Sequence, residues 1–262
     1  MDDSRNRIGE MFAALKEEKR AALFGVIQTG DPDVETSLGF CRRLLSAGLD
    51  ALVLSVPCRM PMLSSPPVVR SHARALAAGT TYTDALKIIR TLRDEGCDKP
   101  IVMAVYVSVL FKVTVSVFAK AAAAAGADAF IVEGCPADRS SELTPQLRRH
   151  GMRRIRIIPV GARITRSRQM ASPEGDITAL YLHGDAEAAA GPIADLRAVS
   201  SLPICLGYGA ASPAEVARDA ARVDGVFLGA AFTEMIEKDG AAAIDGMERL
   251  VVECLPALSK KQ

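Results

Sequence analysis

Two residues able to move a proton near neutral pH stand at the ends of short aliphatic runs. They are Glu133, in Glu133-Gly134-Cys135-Pro136, and His183, in His183-Gly184. A carboxyl serves as general acid or base once its pKa is raised, and an imidazole titrates near neutrality without help. The plainer alternatives are an exposed rim carboxylate and an incidental histidine. A second group suits anions. Gly207 and Gly209, in Leu206-Gly207-Tyr208-Gly209, and Gly229, in Phe227-Leu228-Gly229-Ala230, let backbone N–H groups approach a phosphate that a Cβ would hold away. The same glycines can instead serve packing alone. Cys58 and Cys135 also follow aliphatic runs. With His183 they would form a thiol-nucleophile or soft-metal set if the fold brought them into contact. Cysteine is more often a small buried hydrophobe.

For such groups to act together, the runs that carry them must end on one face. Strands are expected at 22–29, 50–56, 100–106, 128–133, 155–160, 177–182, 203–207 and 225–229. These runs are apolar nearly throughout, as parallel strands covered on both faces should be. Helical patterns lie between them at 34–47, 82–94, 115–125, 141–150, 190–199 and 213–221. Alternation of this kind implies an α/β fold, a (β/α)8 or TIM barrel, whose chemistry sits at the C-terminal strand ends. The joints Ala47-Gly48-Leu49-Asp50-Ala51 and Ala125-Gly126-Ala127-Asp128-Ala129 agree, since glycine closes a helix and the chain re-enters the sheet at once. An open doubly wound sheet competes less well, because no GxGxxG follows the first strand. Ile8, Met11, Phe12 and Leu15 give the N-terminal segment an apolar stripe, so an extra N-terminal helix is expected to plug the barrel.

Length and composition agree with one barrel domain over residues 1–262, with 49% hydrophobic residues for its core. With 32 basic and 31 acidic residues, no global field recruits nucleic acid or a membrane surface. The N-terminus lacks the basic and apolar segments of a signal peptide, and a cytoplasmic location with six free thiols is expected. No cofactor is implied and no metal site is assigned.

The turn Thr29-Gly30-Asp31-Pro32, the stretch from Ala51 to Pro66 with prolines at 57, 61 and 66, Tyr106, the Gly207–Gly209 pair and Gly229 together resemble the tryptophan synthase alpha subunit family. The resemblance runs from the first helix to Ile236. It implies cleavage of indole-3-glycerol phosphate by two carboxyls, one protonating the indole carbon and one handling the ring-nitrogen proton. A gap-free alignment puts Val53 and Ser64 at those two positions, and Met60 at a third acidic one. It also makes Tyr106 an aromatic beside the substrate, Ser108 a replacement for an asparagine and Gly184 the start of the sixth loop. It puts Thr178 where the family has a tyrosine, and Ala230 where it has a phosphate-binding serine. The expectation is therefore a divergent barrel that binds a small phosphorylated or other anionic ligand at its C-terminal mouth. Normal cleavage would be lost, and a lyase-type activity would use Glu133, His183 or Tyr106. The alternatives are a non-catalytic partner or regulator of a beta-type subunit, and a genuine but weak alpha chain.

Overall fold

The computed structural model describes residues 5–62, 64–135, 140–162, 177–184, 187–207 and 211–260. Eight parallel strands close into a barrel in chain order: β1 Ala22–Gln28, β2 Ala51–Ser55, β3 Ile101–Tyr106, β4 Ala129–Glu133, β5 Arg153–Pro159, β6 Ile177–His183, β7 Ile204–Gly207 and β8 Gly225–Leu228. The helices are α1 Arg7–Glu17, α2 Val34–Ala47, α3 Pro66–Ala77, α4 Tyr82–Asp94, α5 Val107–Val113, α6 Val115–Ala125, α7 Ser140–Arg148, α8 Ala190–Arg197, α9 Pro213–Ala220, α10 Ala230–Asp239 and α11 Ala243–Cys254. Among them, no single helix is long and apolar enough to cross a membrane.

Strand alternation divides the apolar side chains into two concentric cores. Outward residues such as Leu52, Leu54, Met103 and Leu180 pack under the helices. Inward residues such as Phe24, Val53, Val102, Ile131 and Phe227 fill the barrel, and Ile8, Phe12 and Leu15 of α1 close its N-terminal end. The N-terminal helix is thus the plug that its stripe implies. An aromatic column rises along the axis from it. Phe12 lies 6.1 Å from Phe24, Phe24 stacks on Phe227 at 4.5 Å, and Phe227 stacks on Tyr181 at 4.5 Å.

The aspartates that precede β2, β4 and β8 have a structural use at this lower end. Asp50 accepts the Leu23 N–H at 2.8 Å, Asp128 accepts the Ile101 N–H at 2.7 Å, and Asp224 accepts the Ile204 N–H at 2.9 Å. In each case the aspartate that opens one strand ties down the start of its neighbour. Arg20, Arg93 and Arg197 pair with these three carboxylates. Conserving barrel register here leaves the opposite end for chemistry.

Candidate functional site

At the C-terminal end the inward positions of six strands surround a cavity of about 130 Å³. Gln28, Ser55, Tyr106, Glu133, Tyr181, His183, Gly229 and Ala230 all line it. The three groups expected to carry protons, Glu133, His183 and Tyr106, therefore share one wall system. They do so because each stands at an inward position of its strand, and β3 and β4 pair Tyr106 directly opposite Glu133. Burial pushes the Glu133 carboxyl above the ordinary carboxylate range, while the nearby Tyr106 hydroxyl partly opposes that rise. Burial likewise raises the Tyr106 phenol, with the nearby Glu133 charge adding to it. The Tyr106 and Ser64 hydroxyls lie 2.9 Å apart, so Ser64, at one family carboxylate position, reaches the cavity as a neutral partner.

Val53, at the other carboxylate position, is 1% exposed in the barrel core below the cavity floor, and Ser55 faces the cavity above it. The same parity settles β6. Tyr181 and His183 point inward with their rings edge to face at 5.7 Å, whereas Thr178 has the opposite parity and is buried away from the cavity. Cys58 is buried with its thiol 3.7 Å from the Ser108 hydroxyl, and neither Cys58 nor Cys135 lines the cavity beside His183. Among the described residues no cluster of three metal-ligating side chains occurs.

The glycines divide. Gly229 caps α10, borders the cavity with Ala230, and leaves the first N–H groups of that helix facing the mouth. A Cβ on Gly229 would sit 3.1 Å from the Val26 Cβ. A Cβ on Gly207 would sit 2.5 Å from the Tyr181 ring, so packing alone demands glycine there. Gly184 has φ +148 and packs on Val160. Gly209 lies outside the described residues.

One site residue escaped the sequence reading. His72, on α3, is 2% exposed and lines the same cavity, its ring 5.7 Å from that of Tyr106. Its position follows from the first turn. Asp31 is fully buried, and both its oxygens accept from Arg74 at 2.8 Å while the Ser71 hydroxyl donates to one of them. The Asp31 turn is therefore a clamp on α3 rather than a group facing ligand. Pro66 and Pro67 start that helix, as proline does in a first turn. The backbone N–H of Cys58 donates to His72 Nδ1 at 3.0 Å, and burial holds the imidazole pKa down at about 4.

A neutral buried histidine makes stability depend on pH. The unfolded imidazole takes a proton near pH 6.5, while the folded one resists until about pH 4. Its contribution is full above the unfolded pKa and is lost as pH falls from there toward the folded value. Wild-type protein should lose about 3 kcal/mol more than His72→Gln between pH 7 and pH 4, at about 1.4 kcal/mol per pKa unit. Urea unfolding midpoints at the two pH values measure this, and parallel losses in both proteins would contradict it.

Comparison with known proteins follows the same lines. Residues 12–260 match the family model for the tryptophan synthase alpha chain. The chain is 32% identical over 253 residues to the tryptophan synthase alpha chain of Halorhodospira halophila, covering 94% of this chain and 92% of the relative. It is 34% identical over 241 residues to that of Desulfosudis oleivorans, covering 89% and 91% respectively. Among solved structures, the aminoacrylate-bound tryptophan synthase from M. tuberculosis superposes with a TM-score of 0.88 at 25% identity, over 97% of this chain and 100% of that one. A chain from Aquifex aeolicus superposes with a TM-score of 0.91 at 24% identity, over 98% of this chain and all of its own, a likeness of fold.

Proposed function

The chain belongs to the tryptophan synthase alpha chain family, and from that premise we propose that its mouth binds a small phosphorylated ligand and performs a lyase-type reaction with a relocated carboxyl. The observation that carries this reading is the position of Glu133, a carboxyl of raised pKa on the cavity wall, opposite Tyr106 in the β3–β4 register. Cleaving a carbon–carbon bond next to a hydroxyl or carbonyl requires a group that takes a proton and returns it. Glu133 is suited to that task, and Tyr106 and His183 stand beside it in the same cavity. The residues at the two family carboxylate positions, Val53 and Ser64, cannot exchange protons near neutral pH, so ordinary indole-3-glycerol phosphate cleavage is the activity this reading gives up. The anion would rest on the N-terminus of α10, where Gly229 admits it to the backbone donors and Ala230 offers no hydroxyl.

Thermal unfolding with glycerol 3-phosphate tests the anion site. At 100-fold the dissociation constant, a ligand of the native state alone stabilises by about 2.7 kcal/mol, or roughly 5–10 °C in Tm for a chain of this size. Sulfate should give a smaller shift. No shift with either anion would overturn the assignment.

A second reading has its own support. Met60 is 76% exposed, Met62 62% and Phe111 48%, and all three follow β2 or β3 beside the mouth. Exposed apolar side chains grouped on a rim suit a protein partner, and a beta-type subunit is the partner this family reading supplies. Co-purification with such a protein, in a chain that turns over no ligand, would favour this reading.

A further inference from the structure

We propose that the N-terminal end of the barrel, opposite the mouth, carries a second ligand site for a ring-bearing organic anion with two or three negative charges. A cavity of about 450 Å³ opens there and shares no lining residue with the mouth cavity. Pockets for drug-sized molecules span roughly 300–1,000 Å³, so this one has room for a small aromatic compound. Phe12 and Leu15 of α1, with Pro203 before β7, give it an apolar wall. Five cationic side chains, Lys16, Lys19, Arg20, Arg197 and Lys260, line it against one carboxylate, Asp224. A cleft with one dominant sign of charge over apolar walls concentrates ions of the other sign.

The ion pairs leave part of this charge uncompensated. Arg20 is satisfied by Glu18 and by both oxygens of Asp50. Arg197 and Lys260 share the single carboxylate of Asp224, which also accepts the Ile204 N–H. Lys16 and Lys19 have no side-chain partner among the described residues. The excess is therefore these two ammonium groups and one cation of the pair on Asp224, which sets the charge of the ligand. Lys16 has a plain structural use, since a cation in the last turn complements the α1 dipole. Lys19 has none. Its backbone has φ 54°, and its N–H and that of Arg20 return to the Lys16 and Leu15 carbonyls at 3.2 and 3.1 Å. These are the bonds of a helix-closing turn whose left-handed position glycine ordinarily fills. A lysine there costs the fold some stability and sets an ammonium group on the cavity wall.

Isothermal titration of the full chain at low salt, in a phosphate-free buffer, tests this with three probes. They are benzene-1,3,5-tricarboxylate, benzoate, which keeps the ring with a single charge, and citrate, which keeps the carboxylates without a ring. The aromatic tricarboxylate should bind about 10-fold more tightly than either of the others. Its affinity should fall as sodium chloride screens the lysines. Lys19→Gly should weaken it about 3–5-fold, and Lys16→Gln combined with Lys19→Gly about 10–20-fold. Because glycine suits the turn, Lys19→Gly should unfold at the same urea concentration as wild type or a higher one. Equal affinities for the three probes, or no binding of the tricarboxylate, would overturn the site without any variant. Undiminished affinity in the folded double variant would do the same. A lower urea midpoint for Lys19→Gly would overturn the reading of Lys19 as a residue held for ligand. The variants leave the lining of the mouth intact, so none of these outcomes decides the phosphate reading there.

Discussion

Glu133→Gln is expected to lower lyase-type turnover by roughly 10²–10⁴-fold, the range that one general acid–base group contributes. Turnover would be read as carbonyl product released from a panel of phosphorylated aldols, on the compound that the wild-type protein cleaves fastest. The same substitution should stabilise the fold at neutral and alkaline pH. A carboxyl whose folded pKa lies above its unfolded value is neutral in both states at low pH, so it costs nothing there. As pH rises above about 4.5, the unfolded carboxyl ionises freely while the folded one resists, and stability is lost. Glutamine cannot ionise. The variant should therefore match wild type near pH 4 in urea and unfold at higher urea concentration at pH 8. A residue placed for folding would show the reverse, losing stability when replaced and leaving turnover intact.

The second large effect is structural and concerns the axis beneath the site. Phe24 is fully buried, packs between Phe12 and Phe227, and supports the Tyr181 that floors the cavity. Truncation to alanine removes a ring from a closed barrel whose surrounding strands cannot collapse inward. Phe24→Ala should cost roughly 3–5 kcal/mol, the usual range for deleting a buried phenylalanine. Phe24→Leu keeps most of the volume and should cost less than about 1.5 kcal/mol. Urea midpoints with unchanged m values measure both. A loss below about 1 kcal/mol for the alanine variant would show that the column is not the centre of the inner core.

Much of this architecture was legible from residue patterns. The runs at 34–47, 82–94 and 115–125 are helices with those bounds, because each has a clear apolar stripe and a polar or glycine boundary. Each of the eight expected strands forms, since an unbroken aliphatic run of five or so residues between helices has few other uses in an α/β chain. Four helices were missed, α3, α5, α10 and α11. α3 has a narrow buried face of Ser71, His72 and Ala75, and α5 is one aliphatic turn and a half continuing from β3. Their burial comes from neighbours distant in sequence, which no local period reports.

The site divides in the same way. Glu133, His183 and Tyr106 could be found because the C-terminal ends of barrel strands are the positions to search. Counting alternate residues back from His183 would also have placed Tyr181 inside and Thr178 outside. His72 had no such signal. It sits a full helical turn past Pro66-Pro67, and only the Asp31 clamp and the Cys58 N–H turn it toward the mouth. Gly207 illustrates the opposite limit. A glycine required by the Tyr181 ring and one required by a phosphate are the same letter in the chain.

The most direct test of a retained anion site with relocated proton chemistry uses indole-3-glycerol phosphate itself. The purified chain and Glu133→Gln would be mixed with it, and bound ligand and released indole followed together. The expected result is anion-competitive binding by both proteins, weakened by the narrow cavity, with no indole above the uncatalysed background. Indole release by the wild-type chain that persists undiminished in Glu133→Gln would contradict the account. It would restore this barrel to ordinary alpha-subunit chemistry carried by other residues.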